Sequence, residues 1–151
     1  MATVFDVAKY ILEEQGPLTT MKLQKLVYYC QAWSLAWDGE PLFNECIQAW
    51  ASGPVVPQLY QAHKGMYQID APNLPKGDAG KLNPTQIETV DAVLKSYGNK
   101  SAQWLSDLTH MEEPWLNARE GIPPGCNCER EIELDCMGEY YSGMPPDSET
   151  V

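Results

Sequence analysis

Three cysteines near the C-terminal end of the sequence are the first candidates for chemistry, because thiolates bind zinc and other soft metals. Cys126 and Cys128 are separated by one residue, Cys136 follows, and His110 lies upstream. Structural zinc sites usually combine two cysteine pairs, each with two to four intervening residues. This sequence has one pair, it is too closely spaced, and no second pair follows. We therefore expect free thiols in the 126–136 segment, with no bound metal and no cofactor.

A histidine beside carboxylates is the second candidate for chemistry. His110 lies in "LTHMEEPW", next to Glu112 and Glu113. A histidine and a carboxylate can act as a general base and its orienting partner, but the same pair can also stabilise a helix end. No Ser or Cys nucleophile lies in a strained turn nearby, as acyl-transfer chemistry would require. The favoured interpretation is structural, and a small hydrolase that uses His110 and Glu113 is the alternative from another functional class.

Other patterns that can signal catalysis are incomplete here. "GDAGK" at 77–81 lacks the glycine spacing, the hydroxyl residue and the preceding strand of a phosphate-binding loop. The carboxylate pairs at 13–14 and 112–113 are adjacent in sequence, so their side chains diverge on a helix and do not flank one substrate bond. We predict no catalytic residue and expect that the protein is not an enzyme.

The charge balance narrows the choice of partners. The 151 residues carry a formal charge of −11, which argues against nucleic acids and anionic membranes and permits a basic protein partner. The acidic residues are concentrated in 129–151, and we interpret 144–151 as an acidic tail. No apolar run approaches the roughly 20 residues that span a bilayer, and the N-terminus does not resemble a signal peptide. These features predict a cytoplasmic protein whose five cysteines stay reduced.

Helical periodicity dominates the chain and predicts a mainly α fold. We expect a compact single-domain bundle of about six or seven helices around one central apolar helix, at about 20–38, which is apolar on most of its sides. Short extended segments are predicted near 47–51 and 132–134. The other helices are predicted at 4–15, from Pro57 to about 67, at 84–97, from Ser101, from Pro114, and from an Asp135 cap to 141.

The sequence "SGPVVPQLY" marks a sharp corner between an extended segment and a helix. Gly53 can adopt backbone angles that other residues resist, Pro54 fixes the exit, and Pro57 suits the first turn of a helix. Val55 and Val56 between the prolines are expected to pack against the central helix. We therefore interpret this stretch as a structural corner first and as a partner surface only second.

Four segments together resemble one known family. "MKLQKLVYYCQAW", "IQAWASGPVVPQLYQAHKG", "SYGNKSAQWLSDLTHMEEPWLNARE" and "IELDCMGEYY" are similar to the Panacea, or SocA-like, antitoxin domain, whose members also occur as phage-associated proteins. The resemblance covers nearly the whole chain and implies a family domain at 1–143. It identifies scaffold positions rather than catalytic ones. These are Leu23, Gln24, Lys25, Leu26, Trp50, Gly53, Pro54, Val55, Val56, Pro57, Tyr60, Leu108, Thr109, His110, Glu113, Pro114 and Trp115.

The resemblance implies an antitoxin that neutralises a toxin, encoded nearby, by direct protein–protein binding. Two alternatives come with it: an adaptor that delivers the toxin to a protease, and a stand-alone phage or prophage interaction protein. Lysines and tyrosines on an acidic protein suggest where a partner binds, because Tyr is favoured at interfaces. The expected contact rim comprises Lys22, Lys25, Tyr28, Gln58 and Tyr60.

Overall fold

In the computed structural model of the protein, which describes residues 2–144, one long helix lies at the centre of the fold. This helix, α2, spans Thr20–Asp38, and every residue from Leu23 to Ser34 is buried. It packs most extensively against the helices Leu134–Ser142 and Pro84–Tyr97, and also against Val4–Gln15 and Ala102–Thr109, so it is enclosed rather than laid on a surface. The predicted central apolar helix and the mainly α fold are confirmed.

Seven α-helices and four short strands lie within residues 2–144. The helices are α1 Val4–Gln15, α2 Thr20–Asp38, α3 Pro57–His63, α4 Pro84–Tyr97, α5 Ala102–Thr109, α6 Glu113–Ala118 and α7 Leu134–Ser142. The strands are β1 Leu18–Thr19, β2 Gln48–Trp50, β3 Gly53–Val55 and β4 Gln68–Ile69. Two short 3-10 helices, Ala71–Asn73 and Ala79–Lys81, lie between β4 and α4.

Helix starts follow the local signals closely. The side chain of Asn83 accepts a hydrogen bond from the Gln86 N–H, the Gln86 side chain bonds back to Asn83, and Pro84 opens α4. Ser101 caps α5 in a similar way through the Trp104 N–H. These signals act within three residues, so no distant contact is needed to satisfy the first N–H groups of a helix.

The predicted end of α3 near residue 67 is wrong. The helix ends at His63, and Gly65 adopts a φ of 87° that turns the chain. Residues 68–69 then pair antiparallel with β1, and the Thr20 N–H donates to the Tyr67 carbonyl. Backbone pairing with a segment almost 50 residues earlier therefore replaces the last turn of the expected helix.

The predicted extended segment at 132–134 is only partly correct. Glu131 forms a bridge with Gln48, and the Ile132 N–H donates to the Ile47 carbonyl, but Leu134 is already the first residue of α7. Glu133, not Asp135, occupies the N-cap position, and it makes no side-chain capping bond. The bridge buries Ile132 and sets where the helix can start.

The β2–β3 hairpin carries the corner that the two prolines mark. Gln48, Ala49 and Trp50 pair with Val55, Pro54 and Gly53, so the turn is made by residues 51–52. The other edge of β2 is covered, because the Ala49 N–H donates to the Arg130 carbonyl. The hairpin packs against α2 and α5, as predicted for a corner that plugs onto the central helix.

Trp37, near the C-terminal end of α2, is 48% exposed and stacks on the buried Trp33. Of the predicted acidic tail at 144–151, all but Met144 lies outside the described residues. No helix within 2–144 is both long enough and apolar enough to cross a membrane.

Candidate functional site

The motif junction is the place where segments 23–26, 53–57 and 108–115 meet. Gln24 lies at its centre: its Oε1 accepts from the Val56 N–H at 2.9 Å, and its Nε2 donates to the Val56 carbonyl at 3.4 Å. Gln24 Nε2 also lies 2.9 Å from Nε2 of His63, a histidine that is itself buried. The side-chain amide of Gln24 thus forms the hydrogen bonds that a neighbouring strand would otherwise form with the buried main chain of Val56, just after β3.

Lys25 is the second contact between the first two motifs. Its side chain is 1% exposed, and its Nζ donates to the Pro54 carbonyl at 3.1 Å. Burial lowers the pKa of Lys25 to about 7. Since burial disfavours the ammonium form and no carboxylate within 2–144 forms an ion pair with it, Lys25 is a poorly compensated buried amine.

Gly53 makes room for that lysine. Its φ of 118° is accessible mainly to glycine, and a Cβ at this position would lie 2.5 Å from Cε of Lys25 and 3.1 Å from Oγ1 of Thr109. One residue from each of the three motifs therefore meets at a single point. The glycine is needed both for its backbone angle and for its missing side chain.

Side chains in and beside the third segment hold the other side of the hairpin through its main-chain carbonyls. Ser106 Oγ donates to the Ser52 carbonyl at 2.7 Å, Trp115 Nε1 donates to the Trp50 carbonyl at 2.9 Å, and Arg119 Nη1 donates to the Ala49 carbonyl at 2.9 Å. Arg119 is buried, and its Nη2 also donates to the carbonyls of Pro123 and Cys126. Three side chains from α5, α6 and the end of α6 thus hold β2 and its turn in place.

His110 stacks on Trp115 and does not pair with Glu113. The two ring centroids are 4.2 Å apart, and the guanidinium of Arg119 lies 4.9 Å from the Trp115 ring centroid. Burial lowers the pKa of His110, and the charges of Lys25 and Arg119 lower it further. Its Nε2 is buried and has no hydrogen-bond partner among the described residues. Glu113 is exposed, so the predicted His–carboxylate pair of a hydrolase is not formed in this structure.

The buried carboxylate of the third motif is Glu112 rather than Glu113. Glu112 Oε1 accepts hydrogen bonds from the hydroxyls of Tyr29 and Tyr141, both at 2.7 Å, and the Tyr28 hydroxyl lies 3.1 Å from that of Tyr141. Burial raises the pKa of Glu112 to about 7, although the two hydroxyl donors partly oppose that rise. This Glu112–tyrosine cluster connects α2 to α7 across the N-terminal end of α6.

The predicted contact rim needs correction, because two of its five residues lie in the interior. Lys25 and Tyr28 are each 1% exposed and are used in the contacts described above. Lys22 is half-buried with its Nζ bonded to the Gly98 carbonyl, and Tyr60 packs between Trp50 and His63. Gln58 alone of the five is fully exposed. Since α2 is enclosed on nearly every side, its Tyr and Lys side chains point into neighbouring elements.

The cysteines within residues 2–144 are unpaired thiols and do not assemble into a metal site. Cys128 is buried, Cys126 is exposed, and Cys136 is half-buried on α7. No group of three or more metal-ligating side chains comes together in the described part of the chain. An open groove of about 560 Å³ lies beside the β2–β3 turn, with Cys128 and Glu129 in its wall and the turn residues opposite.

Comparisons with known proteins match the sequence to one family. The family model described as "Antitoxin SocA-like, Panacea domain" matches residues 23–116, more than half of the chain and all three segments of the motif junction. The chain belongs to the SocA-like Panacea family. It is also 30% identical, over 136 residues, to "Antitoxin SocA" of Caulobacter vibrioides, which covers 80% of this chain and 71% of that relative. No solved structure is significantly similar to the chain.

Family membership clarifies which residues sequence reasoning missed. The family segments supply the motif junction, but Arg119 and Tyr141 lie beyond the matched region and complete its contacts. The spacing of Trp115 and Arg119, four residues apart across a helix end, could have indicated the cation–π contact. Nothing local indicates that Tyr141 bonds Glu112, because 29 residues separate them.

Proposed function

We propose that this chain is an antitoxin that neutralises a toxin protein by binding it directly. Its membership of the SocA-like Panacea family and its similarity to a protein named as an antitoxin support an antitoxin role. Membership also suggests a regulatory rather than a catalytic role. The family assignment is the observation that carries the proposal.

The motif junction is consistent with a protein that works through its shape. Gln24, Lys25, Trp115 and Arg119 direct their polar atoms to main-chain groups of the same chain, which fixes the hairpin against α2. Rigid presentation of a surface lowers the entropy cost of binding a partner. We infer that the motifs specify the scaffold and that the partner contacts lie on the outer faces of its helices.

Co-expression tests the proposal. The toxin to be used is the product of the open reading frame adjacent to the gene of this chain. We expect that product to arrest growth when expressed alone, and we expect growth to recover when this chain is co-expressed. Purification of the tagged chain should recover the toxin in a stable complex. Arrest that co-expression does not relieve would contradict the antitoxin role towards this partner.

A second arm separates direct binding from delivery to a protease. The same rescue is measured in strains that lack the ATP-dependent proteases, with the toxin followed by immunoblot. Direct binding predicts that rescue persists and that toxin levels stay constant. If rescue and toxin loss both require one protease, the adaptor alternative replaces direct neutralisation.

A further inference from the structure

The outer face of α5 carries an apolar stripe that no described element covers. The stripe comprises Trp104 and Leu108 on α5 and Met111 in the turn that follows it, where the Met111 N–H donates to the Leu108 carbonyl. Met111 is 69% exposed and Trp104 is 37% exposed, while Leu108 lies half-buried between them. The opposite face of the helix is already used, because Leu105, Ser106 and Thr109 are buried against the rest of the fold.

Trp104 differs from the tryptophans that build the core. Trp33, Trp50 and Trp115 each donate the indole N–H to a residue of this chain. The indole N–H of Trp104 has no acceptor among residues 2–144, although Nζ of Lys100 lies 4.9 Å from its ring centroid. A half-exposed tryptophan combines a large apolar area with a free donor, which is why tryptophan is enriched at the centres of protein interfaces.

The charges beside the stripe define what would fit it. Asp107 is exposed on α5 between Trp104 and Met111, and Glu113 is exposed just beyond the stripe at the start of α6. Lys100, a cation at this face, is engaged with the ring of Trp104. The whole protein has a formal charge of −11. A partner with lysine or arginine beside an apolar surface is therefore complementary in both charge and polarity.

The spacing of the stripe defines the shape of its partner. From Trp104 to Met111 the stripe follows α5 and the turn after it over about two helical turns, or roughly 10 Å. A second helix packs on such a ridge by placing its own i, i+4 and i+7 side chains in the adjacent grooves. An extended strand would need backbone hydrogen-bond partners, and a helix face offers none.

We propose that the α5 stripe, Trp104–Leu108–Met111, binds an amphipathic helix of the toxin that carries Lys or Arg beside its apolar face. This inference rests on the proposed antitoxin function and deepens it by locating the contact and naming its chemistry. The negative charges of Asp107 and Glu113 favour a helix with basic residues, and Trp104 provides the main apolar contact.

Four variants test the stripe with matched controls. Trp104→Ala and Asp107→Lys change the stripe and its charged rim, whereas Tyr67→Ala and Glu88→Lys change an aromatic side chain and a carboxylate that are exposed elsewhere on the surface. The probe is the toxin used in the growth experiment, and its dissociation constant is measured by calorimetry. We expect each stripe variant to remain folded at the assay temperature and to weaken binding about tenfold or more, that is by about 1.4 kcal/mol or more, as hot-spot residues at the centre of an interface do. We expect the two controls to bind like the wild-type chain.

The outcomes distinguish this inference from the function on which it rests. If the wild-type chain rescues growth and Trp104→Ala and Asp107→Lys bind the toxin normally, the α5 stripe is not the contact and the antitoxin role stands. If the wild-type chain neither binds nor rescues, both proposals fail together. If Trp104→Ala converts a dimer of this chain into monomers without weakening toxin binding, the stripe joins two copies and the inference is overturned.

Discussion

The side-chain amide of Gln24, on α2, pairs with the main chain of Val56 in the way that a neighbouring β-strand would. The amide of Gln24 bonds both the N–H and the carbonyl of Val56, which lies 32 residues later. The contact joins the Leu-Gln-Lys-Leu segment to the Gly-Pro-Val-Val-Pro corner and explains why a rigid apolar corner lies at this point in the sequence. Pro54 and Pro57 restrict the main chain on either side of Val56, and Gln24 on α2 then holds it by hydrogen bonds.

The Gln24→Leu substitution should destabilise the fold with little change in volume. It leaves the Val56 N–H buried without a partner, whereas the Val56 carbonyl still accepts from the Tyr60 N–H. A buried unsatisfied N–H costs about 1–3 kcal/mol. Urea denaturation followed by circular dichroism measures the free energy of unfolding. Gln58→Leu on the exposed start of α3 is the matched control and should change it little. Equal effects at the two positions would mean that the amide pair does not stabilise the corner.

The Gly53→Ala substitution should be more damaging than alanine at another glycine with positive φ. Its new Cβ would meet Cε of Lys25, whereas a Cβ at Gly65, with a φ of 87°, meets nothing within 4 Å. Gly65→Ala therefore reports backbone strain alone, and overpacking at Gly53 should add about 1–3 kcal/mol. A double-mutant cycle with Lys25→Ala should show coupling between the two positions, because removing the lysine removes the clash. If the effects of the two substitutions simply add, the new Cβ at position 53 does not clash with Lys25.

The buried amine of Lys25 should make stability rise with pH above neutrality. Its pKa is about 7 in the folded protein and 10.5 in its ordinary, unfolded setting, so between these values only the unfolded chain holds the proton. Folding stability should therefore increase from pH 7 to about 10.5, by about 5 kcal/mol at most. Lys25→Met should lack this increase, and Lys64→Met, at an exposed lysine, should retain it. Parallel wild-type and Lys25→Met curves of unfolding free energy against pH would contradict the prediction.

Glu112 should have the opposite dependence at lower pH. Its pKa is about 7 in the folded protein against 4.5 ordinarily, so between these values only the folded chain holds the proton. Stability should fall as pH rises from about 4.5 to about 7, by roughly 3 kcal/mol at most. Glu112→Gln keeps an oxygen that accepts from Tyr29 and Tyr141 but cannot titrate. The melting temperature of this variant should therefore not fall between pH 4.5 and 7 in the way that Glu112 predicts. Glu113→Gln should behave like the wild-type chain, and a slope that survives in Glu112→Gln would assign it to another group.

His110 should contribute through its stacked ring and not through its buried nitrogen. His110→Ala removes the contact with Trp115 and should lower stability by about 1 kcal/mol or more. His110→Phe keeps a stacked ring and removes the unpartnered Nε2, but it also removes the hydrogen bond between the ring and the Ala51 backbone. Its melting temperature should therefore lie between those of His110→Ala and the wild-type chain. Growth rescue by His110→Phe should be normal. Loss of rescue in a stably folded His110→Phe variant would instead favour the hydrolase interpretation.

Much of the helical framework was predictable because its signals are local. α1 and α4 begin and end where their caps, prolines and glycines indicate, and the long apolar run from Leu23 predicts a central helix. The family resemblance likewise depends on residues that can be read in order. The two-residue strands β1 and β4 have no comparable signal, because their stability comes from pairing with each other across the chain.

The sequence by itself determined the helices of this protein, its acidity and its family, since each depends on residue types and on spacings of a few positions. Only the tertiary structure decided that Lys25 and Tyr28 lie inside, that Glu112 rather than Glu113 faces the tyrosines, and that Trp104 remains at the surface. The sequence of a helix that is apolar on most of its sides does not show which of its polar side chains will find a buried hydrogen-bond partner. That depends on carbonyls and hydroxyls supplied by segments dozens of residues away, and only packing brings them within hydrogen-bond distance.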